Sequence, residues 1–270
     1  MFALPDDLSL PRLIFDSHLH IIDPRFPLMP NRGFLPDAFT VNDYRRALGE
    51  LGLDPATVVG GAVTSGSFQG FDQAYLVAAL RDLGPGFVGV TQLPSEVTDA
   101  EIQRLQGAGV RALRINLHRG PQPSLESVDR LARRVFDLVG WHLELYVDGA
   151  DLPTLTPLLT QLPCVVIDHL GLTRTGLPHL LALVAGGVRV KASGFGRLDF
   201  DPAPVLLAIH RENPGALLFG SDLPGTRAPR SIQPGDLKLI ADSLGDSQAI
   251  HMVFHDNAVA LYRPASPERP

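Results

Sequence analysis

Phe15-Asp16-Ser17-His18-Leu19-His20-Ile21-Ile22-Asp23 is the stretch on which the reading of this chain turns. It follows the apolar pair Leu13-Ile14 and reads as the end of a buried strand running into a loop. Side chains alternate faces along a strand, so His18 and His20 share one face, about 7 Å apart along the strand, and Leu19 takes the other. Two imidazoles on one face can converge on one metal ion or one substrate group. The plainer alternative is two hydrogen-bonded histidines near a strand end. Partners elsewhere in the chain decide between the two.

Outward from this stretch the chain keeps a steady rhythm. Short β-branched apolar runs (13–20, 57–64, 87–93, 110–117, 142–147, 165–168, 188–192 and 216–220) alternate with helical segments that start at Ser, Thr or Asp and stop at Gly. Thr40 and Ser124 are expected N-caps, and Thr98-Asp99-Ala100-Glu101 reads as a capping box. A Pro-rich loop (Pro24, Pro27, Pro30, Pro36) follows the first strand, and two helices close the chain, the last near 247–262. Eight buried strands alternating with helices predict a parallel sheet closed into a single (β/α)8 TIM barrel. An open doubly wound sheet would carry a Gly-rich phosphate loop after its first strand. Here His18-Leu19-His20 stands in that place. One domain over residues 1–270 is expected, with 264–270 as a frayed tail.

Composition narrows the function. A net charge of −6 argues against a nucleic-acid footprint. The single cysteine, Cys164, cannot form an intrachain disulfide. Asp6 and Asp7 near the start, and the lack of a basic region before an apolar core, predict no signal peptide. No apolar run is long enough to span a bilayer. A cytoplasmic enzyme with a small-molecule partner, rather than nucleic acid or membrane, is the expectation.

Sites in such barrels lie at the C-terminal strand ends. Those ends hold His18 and His20, Ser65, Arg114 and Asn116, Tyr146, Asp168-His169, Lys191 and Ser221-Asp222. Alternation turns Arg114 and Asn116 inward on strand four, and Glu144 and Tyr146 inward on strand five. Arg119, Arg197, Arg227 and Arg230 follow in the loops. These arginines outnumber the acidic residues that can be placed beside them. An anionic, carboxylated substrate is the expected filler, because a guanidinium binds a carboxylate bidentately. His18, His20, His169 and Asp222 together suit a mononuclear site. Lys191 reads as part of a hydrogen-bond network. Ser65 lacks a histidine base. His118, His142, His179, His210, His251 and His255 read as surface or structural.

With these residues in place, the chain resembles the amidohydrolase superfamily, in particular the amidohydrolase-related branch of 2-pyrone-4,6-dicarboxylate lactonase and sugar lactonases. The carrying motifs are 15–24, Ala112-Leu113-Arg114-Ile115-Asn116, Ile167-Asp168-His169-Leu170-Gly171, Val190-Lys191-Ala192-Ser193-Gly194, Phe219-Gly220-Ser221-Asp222-Leu223-Pro224 and 257–262. The resemblance implies a hydrolase, and specifically a lactonase. Asp222 would be the general base, while His18, His20 and His169 polarise the carbonyl. Ser65, Arg114, Arg119, Tyr146, Arg197 and Arg227 would hold substrate carboxylates. His18, His20, His169 and Asp222 would hold one divalent metal, zinc by donor type, although the branch includes enzymes that work without metal. Strand four has no bridging lysine and strand five has Tyr146 where binuclear members place a histidine, so a binuclear site is not expected. Gly225-Thr226-Arg227 stands where the family often has His and then Asn, which points to a different anionic group near strand eight. A zinc-dependent decarboxylase and a non-catalytic metabolite-binding protein are the alternatives.

Overall fold

Eight strands pair in parallel in the order of the chain: β1 Ile14–Leu19, β2 Val58–Thr64, β3 Phe87–Thr91, β4 Val110–Asn116, β5 His142–Tyr146, β6 Val165–Ile167, β7 Arg189–Ala192 and β8 Leu217–Phe219. The computed structural model describes residues 10–119 and 122–265. The ring closes where the chain leaves β8: Leu19 bridges Leu223, His20 N donates to Leu223 O at 2.8 Å, and Asp222 N donates to His18 O at 2.7 Å. The expected (β/α)8 barrel is therefore the fold. The expected absence of a signal peptide falls on residues 1–9, and most of the frayed tail on 266–270; both lie outside the described residues. Among the described residues no helix is long and apolar enough to cross a membrane.

The outer layer follows from helical periodicity. It comprises α1 Val41–Glu50, α2 Ala74–Leu83, α3 Asp99–Gly107, α4 Leu125–Val139, α5 Leu152–Leu159, α6 Leu177–Ala185, α7 Pro202–Glu212 and α8 Pro234–Leu244. In α4, Val128, Leu131, Ala132 and Val135 fall at the spacing of one face, and all are buried against the strands. Ser124 caps its start through Ser127 N, and Gly140 ends it at φ 73°, a left-handed turn that glycine enters without a Cβ penalty. The closing segment is less regular than expected: α9 Ser247–His251 and α10 Asn257–Tyr262 are joined by a π-helical turn, Met252–Asp256.

Inside the barrel the residues are layered. Phe15, Ala62, Val88, Val90, Ala112, Val166 and Leu218 fill the bottom, and Ala258, Leu261 and Tyr262 of α10 plug it from below. The ring of Tyr262 stacks on Phe15 with centroids 5.4 Å apart. Above lies a charged layer of Glu144, Lys191, Asp168 and Arg114, each at most 5% exposed. Two carboxylates face two cations there, so the layer is neutral overall. A buried charge is tolerated only when it is paired in this way. Lys191 reaches Glu144, Asp168 Oδ1 at 3.5 Å and His18 Nδ1 at 3.2 Å, while Tyr262 OH donates to Glu144 Oε1 at 2.5 Å.

Alternation holds on β4 and β5, but β1 departs from it. Phe15 faces the interior, whereas Leu19, four residues on, packs outward among the helices. An irregularity in the pairing with β2 between Asp16 and Leu19 changes the phase. It is this shift that turns His18 and His20 inward. The strand stays fastened because Asp16 takes hydrogen bonds from Ser221 N at 2.8 Å, Ser221 Oγ at 2.6 Å and Tyr44 OH at 3.0 Å. Burial outweighs those bonds and pushes the Asp16 pKa up.

Candidate active site

His18, His20, His169 and Asp222 meet at the C-terminal mouth of the barrel. The Nε2 atoms of His18, His20 and His169 lie 3.8, 3.5 and 3.9 Å from Asp222 Oδ1. Two of the four residues sit in the left-handed region without being glycine: His169 at φ 54° and Asp222 at φ 56°. Such conformations cost about 1–3 kcal/mol each and cluster at functional sites. Two glycines make the room. A Cβ on Gly220 would lie 2.7 Å from His18 Cβ, and one on Gly194, at φ +63°, would lie 2.6 Å from His169 Nδ1.

Each ring is held from behind. His20 Nδ1 bonds Thr64 O at 2.7 Å; a carbonyl only accepts, so Nδ1 carries the proton and Nε2 presents a lone pair. His169 Nδ1 bonds Ser193 Oγ at 2.9 Å. Burial lowers the His169 pKa well below the ordinary value, against the pull of Asp222. Burial, reinforced by Lys191, pushes His18 down to about 3, while Asp168 opposes the shift. Arg197 grips Asp222 Oδ2 through Nε at 2.9 Å and Nη2 at 2.8 Å. Burial alone would raise the Asp222 pKa, but Arg197 and the histidines outweigh it and hold the carboxyl far below the usual carboxylate range.

Among the described residues, Asp222 Oδ1 and His18 Nε2 are buried polar atoms with no hydrogen-bond partner. Their neighbourhood fits a divalent cation. His18, His169 and Asp222 offer donor atoms within 4.8 Å of one another, with His20 beside them. Nitrogen–oxygen separations of 3.5–3.9 Å are a little longer than the roughly 3.4 Å between two ligands of one tetrahedral zinc ion. One observation pulls the other way. An ammonium only donates, and Lys191 lies 3.2 Å from His18 Nδ1. If that bond is made, Nδ1 is the acceptor and Nε2–H points into the site as a donor. Ligation by His18 and the bond from Lys191 are therefore mutually exclusive.

The arginines divide into two groups. The expectation that they outnumber their acidic partners is corrected for three of the five. Arg114 pairs with Asp168 at 2.9 Å, Arg197 with Asp222, and Arg230 with Asp236 at 2.6 Å. Arg119 and Arg227 line the cavity and have no carboxylate partner among the described residues. Arg227 reaches Asn31 O and covers the Phe34 ring at 4.3 Å, which draws the Pro-rich loop over the mouth. Partial burial and the charges of Arg119 and Arg32 lower the Arg227 pKa. Asn116 Oδ1 accepts from Arg119 N at 2.8 Å and His118 N at 3.1 Å, which sets the loop that carries Arg119. Tyr146 lies beneath Arg114 and Arg119, 5.4 and 6.0 Å from their guanidinium carbons, and edge-on to His169.

Ser65, expected to hold substrate, does not line this cavity. Its hydroxyl bonds Tyr75 OH at 2.6 Å, outside the cavity, and its carbonyl accepts from Arg114 Nη1 at 2.8 Å. Ser67, on the turn beyond, lines the cavity instead, with Phe34, Phe68 and Thr226. None of these four carries a charge or a spacing that marks it in the sequence. His142, expected to be structural, is buried and bonded to Glu144 at 3.1 Å.

The pattern of the amidohydrolase family matches residues 15–263. The 2-pyrone-4,6-dicarboxylate hydrolase of Comamonas testosteroni is 32% identical over 172 residues, which cover 60% of this chain and 53%, about half, of that protein. The D-galactarolactone isomerase of Agrobacterium fabrum is 25% identical over 278 residues, 94% of this chain and 92% of that one. The crystal structure of an Agrobacterium tumefaciens protein in its apo state superposes with a TM-score of 0.80 at 25% identity, covering 96% of this chain and 98% of its own.

Proposed function

Because this chain belongs to the amidohydrolase family, a family of hydrolytic enzymes, we propose that it opens the ring of a small carboxylated lactone, with Asp222 as the general base. One observation carries the reading. An unpartnered carboxylate oxygen, Asp222 Oδ1, sits among three imidazoles, beneath two arginines that no described carboxylate neutralises. The Comamonas relative, named for hydrolysis of a lactone dicarboxylate, agrees with that charge pattern.

Arg119 and Arg227, with Arg114 and Arg197 behind them, draw in the substrate carboxylates and orient the ring over Tyr146. A water against Asp222 Oδ1 gives its proton to that oxygen as its own oxygen attacks the lactone carbonyl. The carbonyl electron pair moves onto oxygen. In the tautomer in which its Nδ1 accepts from Lys191, His18 presents Nε2–H to the oxyanion and stabilises it, as a preorganised donor does in any acyl transfer. Collapse breaks the ring C–O bond, and Asp222 returns the proton to the leaving oxygen. A carboxylate held as low as Asp222 is a weak base in the empty site. An anionic substrate against Arg197 offsets the arginine's field and raises the basicity of Asp222 when it is needed. If a divalent cation is bound by His18, His169 and Asp222, it supplies Lewis acidity to the carbonyl and acidity to the water.

A second reading, isomerisation of a lactone within one molecule, is favoured by the Agrobacterium isomerase, which matches 94% of this chain. It would use the same carbonyl activation, with a substrate hydroxyl in place of water. A panel of carboxylated lactones, 2-pyrone-4,6-dicarboxylate and D-galactarolactone among them, separates the two when products are identified by NMR with and without chelator. Ring-opened acid supports hydrolysis and a transposed lactone supports isomerisation. Turnover of no lactone at all would overturn both.

A further inference from the structure

A second cavity opens beside the site and shares its walls. Its apolar wall is Met29, Phe71, Leu93, Pro94, Val128 and Leu131, with polar side chains such as Arg32 and Gln92 between them, and it meets the catalytic chamber along Ser67, Arg114, Asn116 and Arg119. The sizes differ sharply. The chamber over the histidines has about 40 Å³ of free space and the neighbouring cavity about 900 Å³ by the same measure. The chamber's free space is a small fraction of the cavity's, so a substituent beyond the reacting ring has little room there. Such a substituent extends outward, and this cavity is the space the chamber's walls lead into. Met29 and Phe71 stand at its rim 60% and 57% exposed, two of the few large apolar side chains left in solvent. An apolar rim continuous with an arginine-lined site marks a binding groove rather than ordinary surface.

We infer that the substrate is amphiphilic: its carboxylates meet Arg119 and Arg227, and an alkyl or aryl substituent lies in the cavity bounded by Met29 and Phe71. This rests on the proposed lactonase reading for the identity of the anionic end, but the apolar end can be tested without turnover.

The probe is a homologous series of alkyl-substituted dicarboxylic acids, from the unsubstituted parent to a hexyl chain, with dissociation constants measured by calorimetry. Affinity should rise about two- to fourfold per methylene until the chain fills the cavity, as burial of apolar surface requires. In Phe71→Ser and Met29→Ser, both surface positions tolerant of polar residues, that slope should flatten. An affinity indifferent to chain length overturns the inference, and so does a slope unchanged in both variants. So does self-association of the protein that depends on Phe71, since a second copy would then be the occupant. Failure of the lactonase reading would appear separately, as retained chain-length dependence of binding with no lactone turned over.

Discussion

Arg119→Met should lower kcat/KM toward a dicarboxylated lactone by about ten- to 150-fold, through KM more than kcat. The size follows from what the guanidinium does at rest. Its side chain makes no hydrogen bond or ion pair among the described residues, and it lies 6.0 Å over the Tyr146 ring at the edge of the cavity. Removing it therefore leaves no buried carboxylate unpaired, and methionine keeps the apolar stem. What is lost is one charge-assisted contact with the substrate, about 1.5–3 kcal/mol. At 1.4 kcal/mol per factor of ten, that gives the stated range. Arg230→Met is the control. Arg230 is already neutralised by Asp236, with contacts of 2.6 and 2.8 Å, so its loss should change kcat/KM by less than about threefold. Steady-state kinetics over a range of salt concentration reads both, since a screened mouth should also weaken as salt rises. Equal effects of the two variants, or none for Arg119→Met, would refute the assignment of the anion site to the unpaired arginines.

Three further outcomes follow from the geometry. Lys191→Met leaves Glu144 and Asp168 with one cation, Arg114, and should cost about 3–5 kcal/mol in denaturant unfolding; adding Glu144→Gln should recover part of it, whereas full stability in the single variant would contradict a paired interior. Gly194→Ala puts a Cβ 2.6 Å from His169 Nδ1 and should lower kcat at least about tenfold while the circular dichroism spectrum stays native; unchanged kcat would show that the imidazole position is not critical. Stability should fall with acid between about pH 6.5 and 3. Burial favours neutral His18, His142 and His169, so the unfolded chain binds more protons than the folded one across that window, and stability rises with pH there. The depressed Asp168 and Asp222 extend the loss below their ordinary value of 3.8, and a midpoint flat from pH 7 to 4 would contradict the burial of these rings.

How much of this could be read in advance depended on range along the chain. Local signals served well: the caps at Thr40 and Ser124, the stop at Gly140, and the alternation that turned Arg114, Glu144 and Tyr146 inward. Clustering of polar residues at strand ends was legible too, because a closed parallel barrel brings those ends together whatever the loops do. Pairing across the barrel was not. Arg114 finds Asp168 54 residues away, and Arg197 finds Asp222 25 residues away, through a register that only closure defines. The phase change in β1 was hidden as well: simple alternation from Phe15 would have sent His18 outward. Nor does the strand-end position of Ser65 show that its hydroxyl is engaged by Tyr75.

Ring opening is expected to start at Asp222 Oδ1, the unpartnered oxygen facing three imidazoles. Asp222→Asn keeps the shape of the side chain and removes the base. Its direct test is the initial rate of 2-pyrone-4,6-dicarboxylate ring opening by the variant relative to the unaltered protein, with folding checked by thermal melting. A loss of at least about 10²-fold, the usual share of a general base, is expected in a variant that still melts cooperatively. A folded Asp222→Asn protein that opens the lactone within threefold of the original rate would contradict it.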